Sequence, residues 1–185
     1  MRSIYKIVVC SLLTLSITSC EKDLLEKEQY QKEIYLIGAY NRVWTTEVSY
    51  SNEEVKTYFT VSSSGTLALD RDVNVKMKIN EELVDIYNKK YWTVLNEDKY
   101  YKSLDTDLYS IPSLENTVIK HAEGISAEVP VLIKTASLKI DQSYVIPVEI
   151  ESTTGYPISE SGYKMLILLK LKNDYSGSYQ MSGHT

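Results

Sequence analysis

The chain is predicted to be all-β, with two antiparallel sheets packed face to face, one short helix, and a cleaved leader and flexible tether ahead of the domain. Three observations carry this. Apolar and polar residues alternate over Val55 to Val61 and again over Val73 to Ile79, the period of a strand with one wet face. Short runs rich in β-branched and aromatic residues recur between turns of Gly, Asn, Asp and Ser. Helical spacing shows clearly in one place, around Leu83, Ile86 and Tyr87.

Residues 1–19 read as a secretory leader. Arg2 and Lys6 form a basic head, and the apolar run Ile7 to Ile17 is too short to cross a bilayer. Ile17-Thr18-Ser19-Cys20 closes it and resembles a bacterial lipobox, which implies that Cys20 is the first residue after cleavage and carries the lipid. Several acyl chains hold a protein on a membrane stably without spanning it, at about 0.8 kcal/mol per buried methylene. The following Glu21-Lys22-Asp23 resembles the acidic export signal of Bacteroidetes surface lipoproteins, so the expected location is the outer membrane, exposed at the cell surface. Residues 20–32, polar and acidic, read as the tether.

The domain is expected over 33–173. Ile34 to Ala39 and Thr45 to Tyr50 are short, irregular strand candidates. In the next strand Val55, Thr57, Phe59 and Val61 share one face, while Lys56, Tyr58 and Thr60 share the other, before the turn Ser62-Ser63-Ser64-Gly65. Val73, Val75, Met77 and Ile79 repeat the pattern. Asn80 then breaks the period and suits a cap, with Glu81 and Glu82 at the positive end of a helix over 81–90 and Lys89 and Lys90 at its negative end. This helix is expected to close one end of the sandwich. Further strands are expected at Tyr109 to Ile111, Thr117 to His121, Ala127 to Lys134, Tyr144 to Ile150 and Lys164 to Lys172. Pro130 and Pro147 cannot donate to a ladder, which predicts edges or bulges there. Met165 to Leu169 is continuously apolar, the pattern of a strand buried on both faces. Residues 174–185 read as a tail, the start of a missing second module or a dispensable end.

Composition narrows the function classes. The formal charge is −5, and the leader holds two cations and no acid, so the remaining side chains sum to −7, which disfavours nucleic acid as a partner. Both cysteines, Cys10 and Cys20, are consumed by leader and lipid, which leaves no disulfide and no thiolate metal site. His121 and His184 are poorly placed for a catalytic triad or a zinc site. Asp70-Arg71-Asp72 and Asp105-Thr106-Asp107 are the close acidic sets, and both read as solvated or structural loop residues rather than a calcium loop or a glycosidase pair. No catalytic residue, cofactor or metal is expected.

The 16 tyrosines stand out against one Phe and two Trp. A tyrosine has an apolar face and a polar tip, which suits half-buried strand positions and stacking on sugar rings. Tyr91 and Trp92, Tyr100 and Tyr101 bracket the segment after the helix, and Trp44 lies in what reads as an earlier loop. These five are the candidate ligand-binding residues, expected as open rings clustered at one end.

Ile34 to Lys172 resembles the Bacteroidetes lipoprotein module called domain of unknown function 1735. The order of features carries the likeness: Val75-Lys76-Met77-Lys78-Ile79-Asn80, a helix closing on Ile86-Tyr87-Asn88, and Asp141-Gln142-Ser143-Tyr144-Val145-Ile146-Pro147-Val148-Glu149-Ile150. The resemblance implies an immunoglobulin-like sandwich in a glycan-utilisation system, with a polysaccharide or the other proteins of a glycan-uptake system as partners. The expected role is a non-enzymatic glycan-binding or spacer module. The alternatives are the N-terminal part of a family-18 type surface glycosidase without its catalytic module, or an adhesion or pilus-like assembly protein.

Overall fold

The computed structural model describes residues 27–172. The expected leader, Cys20, the first part of the tether and the tail from 174 lie outside the described residues.

Among the described residues ten strands form two sheets. In the first, β1 (Ile34–Leu36), β3 (Glu54–Ser63), β8 (Ser126–Lys134) and β6 (Tyr109–Ser110) lie in the order β1-β3-β8-β6, all antiparallel. The second runs β2-β10-β9-β4-β7, from β2 (Val43–Ser49), β10 (Lys164–Lys172), β9 (Tyr144–Thr153), β4 (Val73–Ile79) and β7 (Thr117–Ile119), with the short β5 (Lys102–Ser103) also on β9. This is the expected immunoglobulin-like sandwich with one correction. The second sheet is mixed, because β2 pairs β10 in parallel and β5 pairs β9 in parallel. The first strand of the fold is split. It leaves the first sheet after Leu36, turns through a 3-10 segment at Ala39–Asn41, and joins the second sheet as β2. Gly38 makes the crossing possible, since its φ is 88° and a Cβ there would stand 2.5 Å from Trp44 Cε3.

The alternation read from sequence is the alternation of burial. Thr57, Phe59 and Val61 from β3 and Val129, Val131 and Ile133 from β8 face Val75, Met77, Ile146, Val148, Met165 and Ile167 from the second sheet. Removing a side chain such as Phe59 from this layer costs about 3–5 kcal/mol. Expected strand ends shift where turns take over: β1 stops at Leu36, β6 at Ser110, and β7 at Ile119, so His121 lies in a turn.

The two prolines part company. Pro130 faces Tyr58 across the β3–β8 ladder, and beyond it β6 pairs β8 only at Leu132 and Ile133, so Pro130 sits beside an open edge as expected. Pro147 lies in β9, a central strand, which corrects the expected edge. Its carbonyl accepts from Asn80 N–H at 3.0 Å, so the side without an N–H faces the seam where β4 ends at Ile79–Val148 and β5 begins at Ser103–Val145. The irregularity in β9 lies instead at Glu151, where the register with β4 shifts between Lys76 and Met77.

Helix α1 (Glu82–Tyr91) forms where expected, and Asn80 Oδ1 accepts from Glu82 N at 3.2 Å. Its position differs from expectation. Leu83 and Val84 pack on Val145 and Leu166, so α1 covers the outer face of the second sheet rather than an end. The apolar stripe turns accordingly: Val84 is buried and Ile86 is 51% exposed.

The end of the expected tether is docked. Glu28 accepts from Thr66 N and Leu67 N and pairs with Lys32, whose ammonium also donates to the Leu67 carbonyl. The Lys32 ammonium, with the Thr66 amide next in effect, pulls the Glu28 carboxyl from 4.5 down to about 2. A lowered carboxyl pKa stabilises the docked form fully above the ordinary value of 4.5 and loses that contribution as pH falls through about 2. The expected NMR titration of Glu28 therefore has a midpoint near 2, moving up toward 4.5 in Lys32→Met. An ordinary midpoint in the wild type would show that the clamp does not form in solution.

Candidate ligand-binding cleft

A cleft of about 250 Å³ opens between α1, the 3-10 turn and the β9–β10 connection. Two of its three walls are fixed by backbone bonds. In the 3-10 turn Arg42 N donates to Ala39 O at 2.8 Å, and Arg42 O accepts from Leu166 N at 2.8 Å, which joins the turn to β10. The β9–β10 connection is stitched to β1 by Ser159 N to Ile34 O at 2.9 Å and Leu36 N to Gly162 O at 2.8 Å. The third wall, α1, rests on the sheet through Leu83 and Val84.

The floor is apolar, with Ala39, Leu83, Met165 and Leu166 all buried. The rim is aromatic and charged. Tyr40 is 86% exposed at the tip of the 3-10 turn, Ile86 and Tyr87 come from the helix, and Arg42, Glu160 and Lys164 supply charge. Apolar rings beside a few convergent polar groups form the general pattern of a small-molecule site.

Tyr87 is the hinge between the cleft and the aromatic pairs read from sequence. Its ring stacks on Tyr101 at 5.2 Å and 10°, and meets Tyr91 at 4.4 Å and 35°. Burial, with Tyr101 beside it, pushes the Tyr87 hydroxyl up to about 12. Asn88, buried one residue on, holds the stack in place: its Nδ2 donates to Tyr101 O at 2.9 Å and its Oδ1 accepts from Tyr101 N at 3.0 Å.

The five candidate residues are thus only partly brought together. Tyr91 and Tyr101 join through Tyr87, a residue that sequence reading placed in the helix stripe and not in the site. Trp92 is half-buried, and its indole N–H is sealed from solvent with no acceptor among the described residues, while Lys99 Nζ stands 5.7 Å from the ring. Tyr100 is half-buried, its N–H donating to Glu97 O at 3.1 Å. Trp44 does not belong to the group, and it is not in a loop. It lies in edge strand β2 opposite Ile167, on the core side of the sheet away from α1, packed over Gly38 and 38% exposed. Rings clustered open at one end of the sandwich are therefore not what the fold produces.

The charged sets fall elsewhere. Arg71 donates to both oxygens of Asp70, at 2.9 and 3.0 Å, and Tyr156 hydroxyl donates to the same carboxylate. Asp72 accepts from the N–H and ring Nδ1 of His121, in an exposed pair that holds the Asp72 carboxyl below its usual range. Asp105 Oδ1 accepts from Asp107 N at 3.3 Å and caps the 3-10 turn Thr106–Leu108, a local loop role.

The Asn88 clip supports the helix–loop junction, because Asn88 is buried and both of its bonds go to the backbone of Tyr101. Asn88→Ala is expected to lower stability by about 1–3 kcal/mol in urea denaturation. An unchanged midpoint would mean that the clip contributes nothing to the fold.

A family model described as an N-terminal domain matches residues 30–157. Among solved structures, a multidomain Bacteroides ovatus protein including DUF1735 superposes with a TM-score of 0.59 at 20% identity, covering 74% of this chain and 43% of that one. An auxiliary nutrient binding protein of Bacteroides thetaiotaomicron gives 0.60 at 16% identity, covering 76% and 47%. EndoBT-3987 of the same species, solved with a Man5GlcNAc product, gives 0.54 at 20% identity, covering 75% and 30%. The chain therefore spans less than half the length of each of these proteins. No curated protein matches it in sequence.

Proposed function

The chain belongs to the DUF1735-type family of N-terminal domains, and from that premise we propose that it is a non-catalytic, glycan-handling module of a cell-surface lipoprotein. The observation that carries the reading is the cleft: an exposed tyrosine, a helix-borne tyrosine and charged groups converge over an apolar floor. A pyranose ring has apolar C–H faces and a hydroxyl rim, and this arrangement meets both. Proteins of similar fold bear names of nutrient binding and of a Man5GlcNAc product, which supports the same class of ligand. Glycoside hydrolysis needs two carboxyls across the bond, and the cleft lining supplies one, Glu160.

A second reading is favoured by length. Similar structures extend well beyond the part that this chain matches, and the family description is that of an N-terminal domain, which suits a spacer holding a following module, binding or family-18 type catalytic, away from the membrane. Both readings share the lipidated Cys20 and a place among the proteins of a glycan-uptake system.

Capture is tested with the chain expressed from Glu21 onward on a glycan array, followed by calorimetry. Binding is expected, and Tyr40→Ala should weaken it about fivefold or more through the lost stacking face. Silence across the array would remove capture and leave the spacer. The anchor is tested in cells with labelled palmitate, which should enter the wild type and not Cys20→Ser. An unlabelled wild type would overturn the lipoprotein reading.

A further inference from the structure

We propose that the cleft selects a carboxylate-bearing sugar, such as a hexuronate, with the acid group held between Arg42 and Lys164 and the ring laid against Tyr40. This rests on the glycan-handling reading above and narrows it to a substrate class.

The charges in the cleft are uncommitted. The ion pairs among the described residues engage Lys32, Arg71, Lys76, Lys78, Lys120, His121, Lys170 and Lys172, and none engages Arg42 or Lys164. Lys164 Nζ stands 4.8 Å from the ring of Tyr163, itself a lining residue, so an aromatic face and not a carboxylate holds it. The two cations flank one stretch of β10. Arg42 O accepts from Leu166 N, and Lys164 lies two residues from Leu166 on the same face of the strand. A guanidinium and an ammonium so placed match a carboxylate, the first by its fork of donors and the second as a point charge.

The backbone gives an independent observation. Arg42 has φ 62°, the only positive value at a non-glycine among the described residues. In the same turn the other left-handed position is Gly38, the low-strain choice. An arginine at such a position adds strain that its backbone role does not require, and its side chain points the explanation toward the cleft it lines.

The ring next to the charge separates a sugar acid from a bare anion. Tyr40 and Ile86, both exposed, offer an apolar surface beside the cations, and Ser161 and Glu160 offer hydroxyl-pairing groups. A volume of about 250 Å³ lies below the roughly 300–1,000 Å³ of drug-sized pockets, which suits a single sugar unit. The acidic balance of the whole chain does not oppose this, because charges beyond about 8 Å are screened at physiological salt. Glu160 is the one lining carboxylate, and it sets the sign of a diagnostic variant.

The experiment is calorimetry of the chain from Glu21 onward with oligogalacturonate, the neutral galacto-oligosaccharide of the same length, and triglutamate. Oligogalacturonate should bind, and Arg42→Gln or Lys164→Gln should weaken it about tenfold or more. Glu160→Gln should tighten it, and raising salt should weaken it. Arg42→Gly serves as the folding control: glycine suits φ 62°, so Tm should be no lower while acid binding is lost. Equal binding of the neutral oligosaccharide, unaffected by Arg42→Gln but weakened by Tyr40→Ala, would overturn acid selection and leave the glycan reading standing. Equal binding of triglutamate would show attraction to charge without a sugar and overturn it as well. No binding of either oligosaccharide would bring down the cleft reading together with this one.

Discussion

The fold turns on a sheet that must be covered twice. In β10, Met165, Ile167 and Leu169 face the other sheet, while Leu166 and Leu168 face outward, and Val145 in β9 faces outward beside them. An apolar outer face left in water would be unfavourable by about 25 cal/mol for each Å². Helix α1 meets that demand with Leu83 and Val84, and Asn88 fixes the chain that leaves it. The cleft is the remainder of the same demand. It lies where the cover formed by the helix stops short and the 3-10 turn of the split first strand begins.

That arrangement explains what the sequence made legible. The alternation at Val55–Val61 and Val73–Ile79 is a local property of each strand, and burial follows it residue by residue. The double-sided burial of Met165–Leu169 shows as an unbroken apolar run for the same reason. The helix was legible in extent and in its Asn80 cap, yet not in orientation. Leu83, Ile86 and Tyr87 form as good a stripe as Leu83, Val84 and Tyr87, and only the position of β9 and β10 decides between them. Pro147 misled because proline reports a missing donor and not the reason it is tolerated, here a seam between two partner strands.

Less of the site was legible. Pairs such as Tyr91-Trp92 attract attention as neighbours in sequence, whereas the cleft draws Tyr40, Arg42, Ile86, Tyr87, Glu160 and Lys164 from three separate segments. No periodicity joins those segments; the strand switch at Gly38 and the hydrogen bonds of the Ser159–Gly162 turn to β1 do. Trp44 read as a loop residue because its strand, Val43–Ser49, is an edge with polar positions on both faces, and such a strand lacks a clean alternation.

The parallel pairing of β2 with β10 also has a mechanical side. Residues 43–49 of β2 lie alongside 166–172 of β10, pointing the same way. Tension between the segment ahead of β1 and the segment beyond β10 pulls these two strands in opposite directions along their length. Their cross-links are then sheared all at once rather than unzipped one after another. A pull on the two ends is thus borne by the whole length of the β2–β10 ladder together.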